Sequence, residues 1–159
     1  NAFKKQDADR MNKQTFYSLL SGVWTKLFGA ELKYIEPQPH QQECILECFV
    51  EIPIVGQNNF LMVLAMPTKL SYRAASLLFQ LPEEELSKND ANDALCELGN
   101  ILAGQVQLEI SEDTHLDVPI QLTKEQAQTL MQDIEPDWEV FTQDEDGTTI
   151  YAGVFIGQS

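Results

Sequence analysis

The sequence predicts an α+β fold built on a mostly antiparallel sheet. A segment near the start of the chain has apolar residues at helical spacing, and several short apolar segments are joined by tight turns. Further helical segments are grouped between those strands. Strands that are joined by hairpins, with helices grouped between them, are typical of α+β domains.

The chain has the size of one compact domain. It contains 159 residues, of which 43% are hydrophobic and 22% are charged, so it can bury a core without disulfides or metals. We expect a flexible lead-in over residues 1–12 and a single domain over residues 13–159. The start without Met is consistent with a tag remnant at residues 1–2 or with a fragment boundary.

The formal net charge of −15 restricts the class of partner. Nucleic-acid phosphates and anionic membrane surfaces require clustered Lys and Arg, so we expect neither as a partner. The sequence has no apolar run long enough to span a membrane and no visible secretory leader, and the cytoplasm is therefore the expected compartment.

The first predicted helix has the most regular apolar spacing in the chain. Its stripe is formed by Phe16, Leu19, Leu20, Val23, Trp24, Leu27 and Phe28. Gly29 is the expected end of this helix, because glycine readily adopts the left-handed conformation that follows many helices. A stripe of this kind indicates core packing and not a cofactor site.

Two strands are predicted after a proline-bearing loop at residues 36–42. Residues 43–52 alternate between apolar and mostly acidic positions, and residues Phe60–Met66 are apolar without interruption. We expect both faces of the second strand to be covered, and it is compatible with a buried subunit contact. Residues 55–59 are predicted to form the turn between the two strands.

The cysteines of the first of these strands raise a metal hypothesis. His40, Cys44 and Cys48 have donor atoms that suit zinc, but no fourth ligand lies nearby and both cysteines share the apolar face of the strand. We interpret them as buried structural thiols and expect no metal site. A thiol- or metal-based sensor remains a further hypothesis.

The third predicted helix, over residues 89–110, is the segment around which the domain is organised. A second helix over residues 70–79, capped by Thr68, precedes it, and Ser87 or Asn89 is its own expected cap. Its core face consists of Ala91, Leu95, Leu98, Gly99, Leu102 and Val106. The opposite face carries Asp93, Glu97, Asn100, Gly104 and Gln107.

Gly104 on this outward face requires a reason, because glycine costs ~1 kcal/mol against alanine inside a helix. That cost is offset if a large partner approaches the backbone there. The polar face then forms a shallow platform with Glu97 and Asn100, which suits a macromolecule better than a small ligand. The alternative is that the face is ordinary solvated surface.

The remainder of the chain predicts one more helix and three short strands. An edge strand at residues 116–122 contains Pro119, and a helix over residues 123–134 begins with a capping-box pattern. Two strands follow at residues 138–142 and Thr149–Ile156. The acids at residues 144–146 lack the ligand spacing of a calcium loop, so they predict a solvated turn.

Asp93-x3-Glu97-x2-Asn100, followed by Gly104, resembles the signature of the CheC/CheX/FliY family of chemotaxis phosphatases. The preceding apolar strand, small-residue helix and acidic linker are similar to the single-motif branch, CheX. The first helix has neither Glu nor Asn over residues 15–27, so the resemblance implies one site per chain. It also implies a CheC-like fold with long helices packed on one side of the sheet, and a homodimer.

The resemblance further implies a phosphatase that hydrolyses the aspartyl phosphate of a CheY-like response-regulator receiver domain. Asn100 would orient the attacking water and Glu97 would pair with a lysine of the receiver, while Asp93, Gly104 and Gln107 would contact this partner. No cofactor of the chain's own is implied, since the receiver would supply Mg²⁺. The alternative is a non-catalytic dimeric module that binds a receiver or a signalling scaffold.

Overall fold

The computed structural model describes residues 11–36, 46–110 and 112–157. Within them the elements follow the order α1 (Lys13–Phe28), β1 (Lys33–Ile35), β2 (Cys48–Gly56), β3 (Phe60–Met66), α2 (Thr68–Phe79), α3 (Lys88–Glu109), β4 (Thr114–Leu116), β5 (Ile120–Leu122), α4 (Lys124–Asp133), β6 (Trp138–Gln143) and β7 (Thr149–Ile156). A short 3₁₀ turn, Glu83–Glu85, separates α2 from α3. The predicted α+β class is confirmed.

The strands form one seven-stranded sheet in which every pairing is antiparallel. The order is β1, β6, β7, β3 and β2, and both β4 and β5 pair with the outer side of β2. The apolar strand β3 therefore lies between β7 and β2, with both its edges hydrogen-bonded inside its own chain. This position accounts for its apolar sequence, since six of its seven residues are buried and Leu61 is half-buried.

Two apolar clusters cover the two faces of the sheet. The larger cluster packs α1, α2 and α3 against one face, and residues such as Met62 and Leu64 of β3 point into it. The smaller cluster lies on the other face beneath α4, and it receives the alternate residues Val63 and Ala65. The prediction that the long helices pack on one side of the sheet is confirmed, and the short α4 covers part of the opposite face.

The start of the domain lies earlier than residue 13. Met11 is buried, and the Asn12 side chain caps α1 by accepting a hydrogen bond of 2.8 Å from the Thr15 backbone N–H. These two residues belong to the folded domain and not to the predicted lead-in, whose other residues lie outside the described part. The predicted end of α1 is confirmed, since Gly29 follows the helix with a φ of +71°.

Two predicted boundaries are wrong. The N-cap of α2 is Pro67, and Thr68 is the first residue of the helix, where its backbone N–H donates to the Glu47 carboxylate over 3.0 Å. Strand β2 does not end at residue 52 but continues to Gly56, because its last residues pair with β4. The start predicted for this strand at residue 43 lies outside the described residues.

The edges of the sheet are its shortest strands. The predicted edge strand at residues 116–122 is divided around Pro119 into β4 and β5, which pair with different parts of β2. Proline lacks the backbone N–H that a continuous ladder would need there. The other edge is β1, which pairs with β6 and was not predicted from the sequence.

Candidate functional site

Helix α3 begins with a capping box, and its apolar face packs against the sheet. The Ser87 side chain accepts from the Asp90 backbone N–H, and the Asp90 carboxylate accepts from the Ser87 backbone N–H over 2.8 Å. Ser87, and not Asn89, is therefore the cap. All six residues predicted for the core face of α3 are buried.

The five predicted site residues lie along the opposite side of the same helix, which we call the α3 stripe (Asp93, Glu97, Asn100, Gly104 and Gln107). Asp93 and Glu97 are exposed, and the other three are half-buried. Side chains three or four positions apart on a helix are neighbours at about 5–6 Å between Cβ atoms. The stripe thus places a carboxylate one turn before an amide, and a residue without a side chain one turn after that amide.

Gly104 lies in open space. A Cβ atom added to it would meet no atom within 4 Å outside the backbone of its own helix. The fold of the described chain therefore does not require glycine at this position, although glycine weakens the helix. The open surface beside Asn100 is free for contact with another molecule.

Gln107 is already engaged within the domain. Its side-chain nitrogen donates to the backbone carbonyl of Thr114 over 3.0 Å and contacts the Thr114 hydroxyl at 3.1 Å. These bonds tie the second half of α3 to strand β4. A role for Gln107 in partner binding stays a prediction, and in this conformation it would use the amide oxygen.

A shallow hollow of about 840 Å³ lies between α1 and α3. Ile101 and Gln105 line it from α3, and Ser18 and Gly22 are among the residues that line it from α1. Gly22, like Gly104, would have open space around an added Cβ atom. None of the five stripe residues lines this hollow, so it is a separate feature of the helical layer.

Cys96 lies on α3 between the stripe and the core. Burial raises the pKa of its thiol, and the negative charge of Asp93 raises that pKa further. A thiol with a raised pKa stays protonated at neutral pH and is a poor nucleophile. The Cys96 thiol is therefore a weaker nucleophile than an exposed cysteine.

The described residues hold no group of three or more His, Cys, Asp and Glu side chains that could bind a metal ion. Cys48 is half-buried, with its sulfur 3.4 Å from the Thr68 hydroxyl and 3.9 Å from the Ser71 hydroxyl. These neighbours give Cys48 a packing role. His40 and Cys44, the other members of the metal hypothesis, lie outside the described part of the chain.

The acidic turn at residues 144–146 is not simply solvated, which corrects the prediction. The Asp144 side chain is buried, and one of its oxygens accepts from the backbone N–H groups of Asp146 and Thr148 at 2.9 Å each. Arg73 on α2 approaches all three acids, at 3.6 Å from Asp144, 3.2 Å from Glu145 and 3.1 Å from Asp146. These ion pairs connect the turn between β6 and β7 to helix α2.

Across residues 11–36, 46–110 and 112–157, none of the helices has the length and apolar character that a membrane span would need. The fold defines the class of the protein: an α+β domain with its long helices packed on one face of an antiparallel sheet. The chain belongs to the CheX family, since the family model described as chemotaxis phosphatase CheX matches residues 49–137. No curated protein matches the chain.

Solved structures of similar fold cover nearly the whole chain. A chain of the CheX–CheY–BeF3–Mg²⁺ complex from Borrelia burgdorferi has a TM-score of 0.68 at 14% identity, and the match covers 94% of this chain and 99% of that one. The chemotaxis protein CheX from Vibrio vulnificus has a TM-score of 0.65 at 15% identity, with 91% and 95% covered. A CheC-like superfamily protein from Shewanella sp. PV-4 has a TM-score of 0.64 at 16% identity, with 91% and 96% covered. At these low sequence identities, the similarity to the solved structures shows a shared fold only.

Proposed function

We propose that this chain is a phosphatase that hydrolyses the aspartyl phosphate of a CheY-like receiver domain. The observation that carries the proposal is the α3 stripe, in which Glu97 and Asn100 adjoin on an open surface beside a glycine that the domain itself does not need. Membership of the CheX family supports it. So does the complex with CheY, BeF3 and Mg²⁺ that a protein of similar fold forms.

Asn100 is the residue to which we assign the chemistry. Hydrolysis requires a water to attack phosphorus in line with the bond to the aspartyl oxygen, which then leaves as a carboxylate while inorganic phosphate is released. The Asn100 amide oxygen would accept a hydrogen bond from that water. This bond would direct a lone pair of the water oxygen at phosphorus. An amide does not titrate, so its contribution is one of position.

Glu97 is the residue to which we assign the docking of the receiver. Its carboxylate would pair with the receiver lysine beside the phosphate, and this pair would place Asn100 one turn further along α3. A charge pair that is enclosed in an interface contributes more than the same pair on an open surface. Mg²⁺ would come with the receiver, and Asp93 and Gln107 would lie at the margins of the contact.

Two further parts of the proposal concern assembly and location. A homodimer is proposed from the family resemblance, and most of β3 is already buried inside its own chain. The cytoplasm is proposed as the compartment because the receiver substrate would be there.

The test is to phosphorylate a panel of receiver domains and to follow phosphate loss with the wild-type chain and with Asn100→Ala. We expect one receiver to lose phosphate faster with the wild type, and we expect Asn100→Ala to lose that acceleration on the order of a hundredfold while it stays folded. Gln105→Ala is the matched control, since it removes an exposed amide from the same helix about 140° away from Asn100.

Binding to the beryllofluoride-activated receiver separates this proposal from its alternative. If one receiver binds but none loses phosphate faster, the chain is a non-catalytic module and the assignment of Asn100 is wrong. If Asn100→Ala and Gln105→Ala lower the rate equally, the effect belongs to the helix surface and not to the water-orienting amide.

A further inference from the structure

A separate cavity lies on the face of the sheet opposite to α3. Its volume is about 260 Å³, and its apolar lining includes Leu46, Phe49, Met131, Phe141 and Tyr151. Helix α4 covers one side of it, and strands β2, β6 and β7 form its floor. No residue of the α3 stripe lines it, so its role is independent of the proposed phosphatase site.

A neighbouring glycine leaves room for one of the aromatic rings in the floor of the cavity. A Cβ atom on Gly153 would overlap the Tyr151 hydroxyl, so only glycine lets the phenol ring lie across β7 at this point. The Phe141 ring packs against Tyr151 at 4.9 Å between ring centroids, tilted by 55°. Phe49 completes the aromatic lining from β2, so three aromatic residues line the cavity from adjoining parts of the sheet.

A carboxylate lies at the wall of this aromatic cavity. The Tyr151 hydroxyl donates to Oε2 of Glu139 over 3.0 Å, which holds the half-buried carboxylate in position. Oε1 of Glu139 accepts no hydrogen bond from the described residues. Lys124 is the cation among the described lining residues, and its half-buried side chain forms no ion pair with Glu139.

We propose that this cavity binds a small organic cation, an aromatic ring that carries a primary ammonium group. An aromatic lining and a fixed carboxylate are the two features that favour such a ligand, through ring packing and a charge-assisted hydrogen bond. An apolar cavity of about 150 Å³ is enough for benzene, so the larger volume here leaves room for a ring and a short polar arm. The formal net charge of −15 favours a cation over an anion.

The test uses benzylamine, benzyl alcohol and benzoate as probes of one size and three charges. We would titrate each into the 159-residue chain and follow the Met131 methyl group by NMR, since Met131 lines the cavity. We expect a saturable shift with benzylamine and little or none with benzoate. The Glu139→Gln variant should weaken benzylamine binding roughly three- to tenfold, the loss of a partly screened charge pair, and leave benzyl alcohol unchanged.

Glu135→Gln is the matched control, because Glu135 is an exposed acid close by in sequence that does not line the cavity. Glutamine at position 139 keeps an acceptor for the Tyr151 hydroxyl, so the variant should fold. The proposal is overturned by the absence of a saturable benzylamine shift, or by equal binding of benzoate. It is also overturned if Glu135→Gln weakens benzylamine as much as Glu139→Gln, since net charge alone would then explain the binding. The comparison of the three probes in the wild type tests the proposal even without the variants.

Discussion

The backbone of Gly99 on α3 lies directly against the side chain of Ile52 on β2. A Cβ atom on Gly99 would overlap Cδ1 of Ile52 and would lie 3.3 Å from Cγ1 of Val50. Ile52 and Val50 are fully buried, so neither can move aside into solvent. Glycine at this position therefore lets α3 pack close to the sheet, and the next residue along the helix is Asn100.

We predict that Gly99→Ala destabilises the domain. The added methyl group forces Ile52 into a different packing, which costs about 1–3 kcal/mol, and the gain of up to ~1 kcal/mol in helix propensity offsets only part of this. The check is chemical denaturation of Gly99→Ala with and without Ile52→Val, which removes the overlapping Cδ1. If alanine at position 99 costs the same in both backgrounds, the proposed contact does not explain the glycine.

Gly104 gives the opposite prediction although it lies on the same helix. Gly104→Ala should raise the free energy of unfolding by up to ~1 kcal/mol, because the new methyl group enters open space and helix propensity improves. A larger side chain, as in Gly104→Leu, should keep the domain folded but slow the dephosphorylation of the responsive receiver. Thermal unfolding and the phosphate-loss assay on the same two variants measure these effects. A Gly104→Leu variant with unchanged activity would show that no partner approaches the helix there.

The two glycines illustrate how far the sequence could predict this domain. The face that carries Asn100 and Gly104 follows from the helical repeat alone, and so does the opposite face that buries Leu95 and Leu102. The close approach at Gly99 does not, because it depends on which strand lies beneath α3. Helical spacing assigns a residue to a face, whereas the atoms it meets there depend on the tertiary structure.

The same limit applies to strand β1 and to the engagement of Gln107. Strand β1 has three residues, and its partner β6 lies more than a hundred positions later, so no local pattern predicts it. Gln107 was placed on the outward face of α3, which is correct, but its bonds to Thr114 arise from a loop folding back on the helix. The helices and the longer strands follow from apolar spacing, whereas β1 and the contacts between elements do not.

We predict that Arg73→Met destabilises the domain by about 1–2 kcal/mol without altering the α3 stripe. The Asp144 side chain is 2% exposed and would lose its cation, while the partial exposure of Arg73, at 35%, limits the cost. Lys69→Met is the matched control, since Lys69 is an exposed cation on α2 that has no ion pair with the described residues. Urea denaturation measures both. Asp144→Asn should recover part of the loss in the Arg73→Met background, and an absence of recovery would contradict the pairing.

Tyr151 predicts how the domain responds to alkaline pH. Burial raises the pKa of its hydroxyl well above the ordinary value of about 10, and the nearby Glu139 charge raises it further. Above pH 10 the unfolded chain therefore loses this proton while the folded chain keeps it, so stability falls as pH rises, by at most ~1.4 kcal/mol per pH unit. The free energy of unfolding is measured at a series of pH values from 8 to 11.5. Above about pH 10 it should fall less steeply with pH for Tyr151→Phe than for the wild type. Glu139→Gln should keep most of the wild-type slope, because burial is the larger cause; if this variant removes the slope, the Glu139 charge and not burial controls the ionisation of Tyr151.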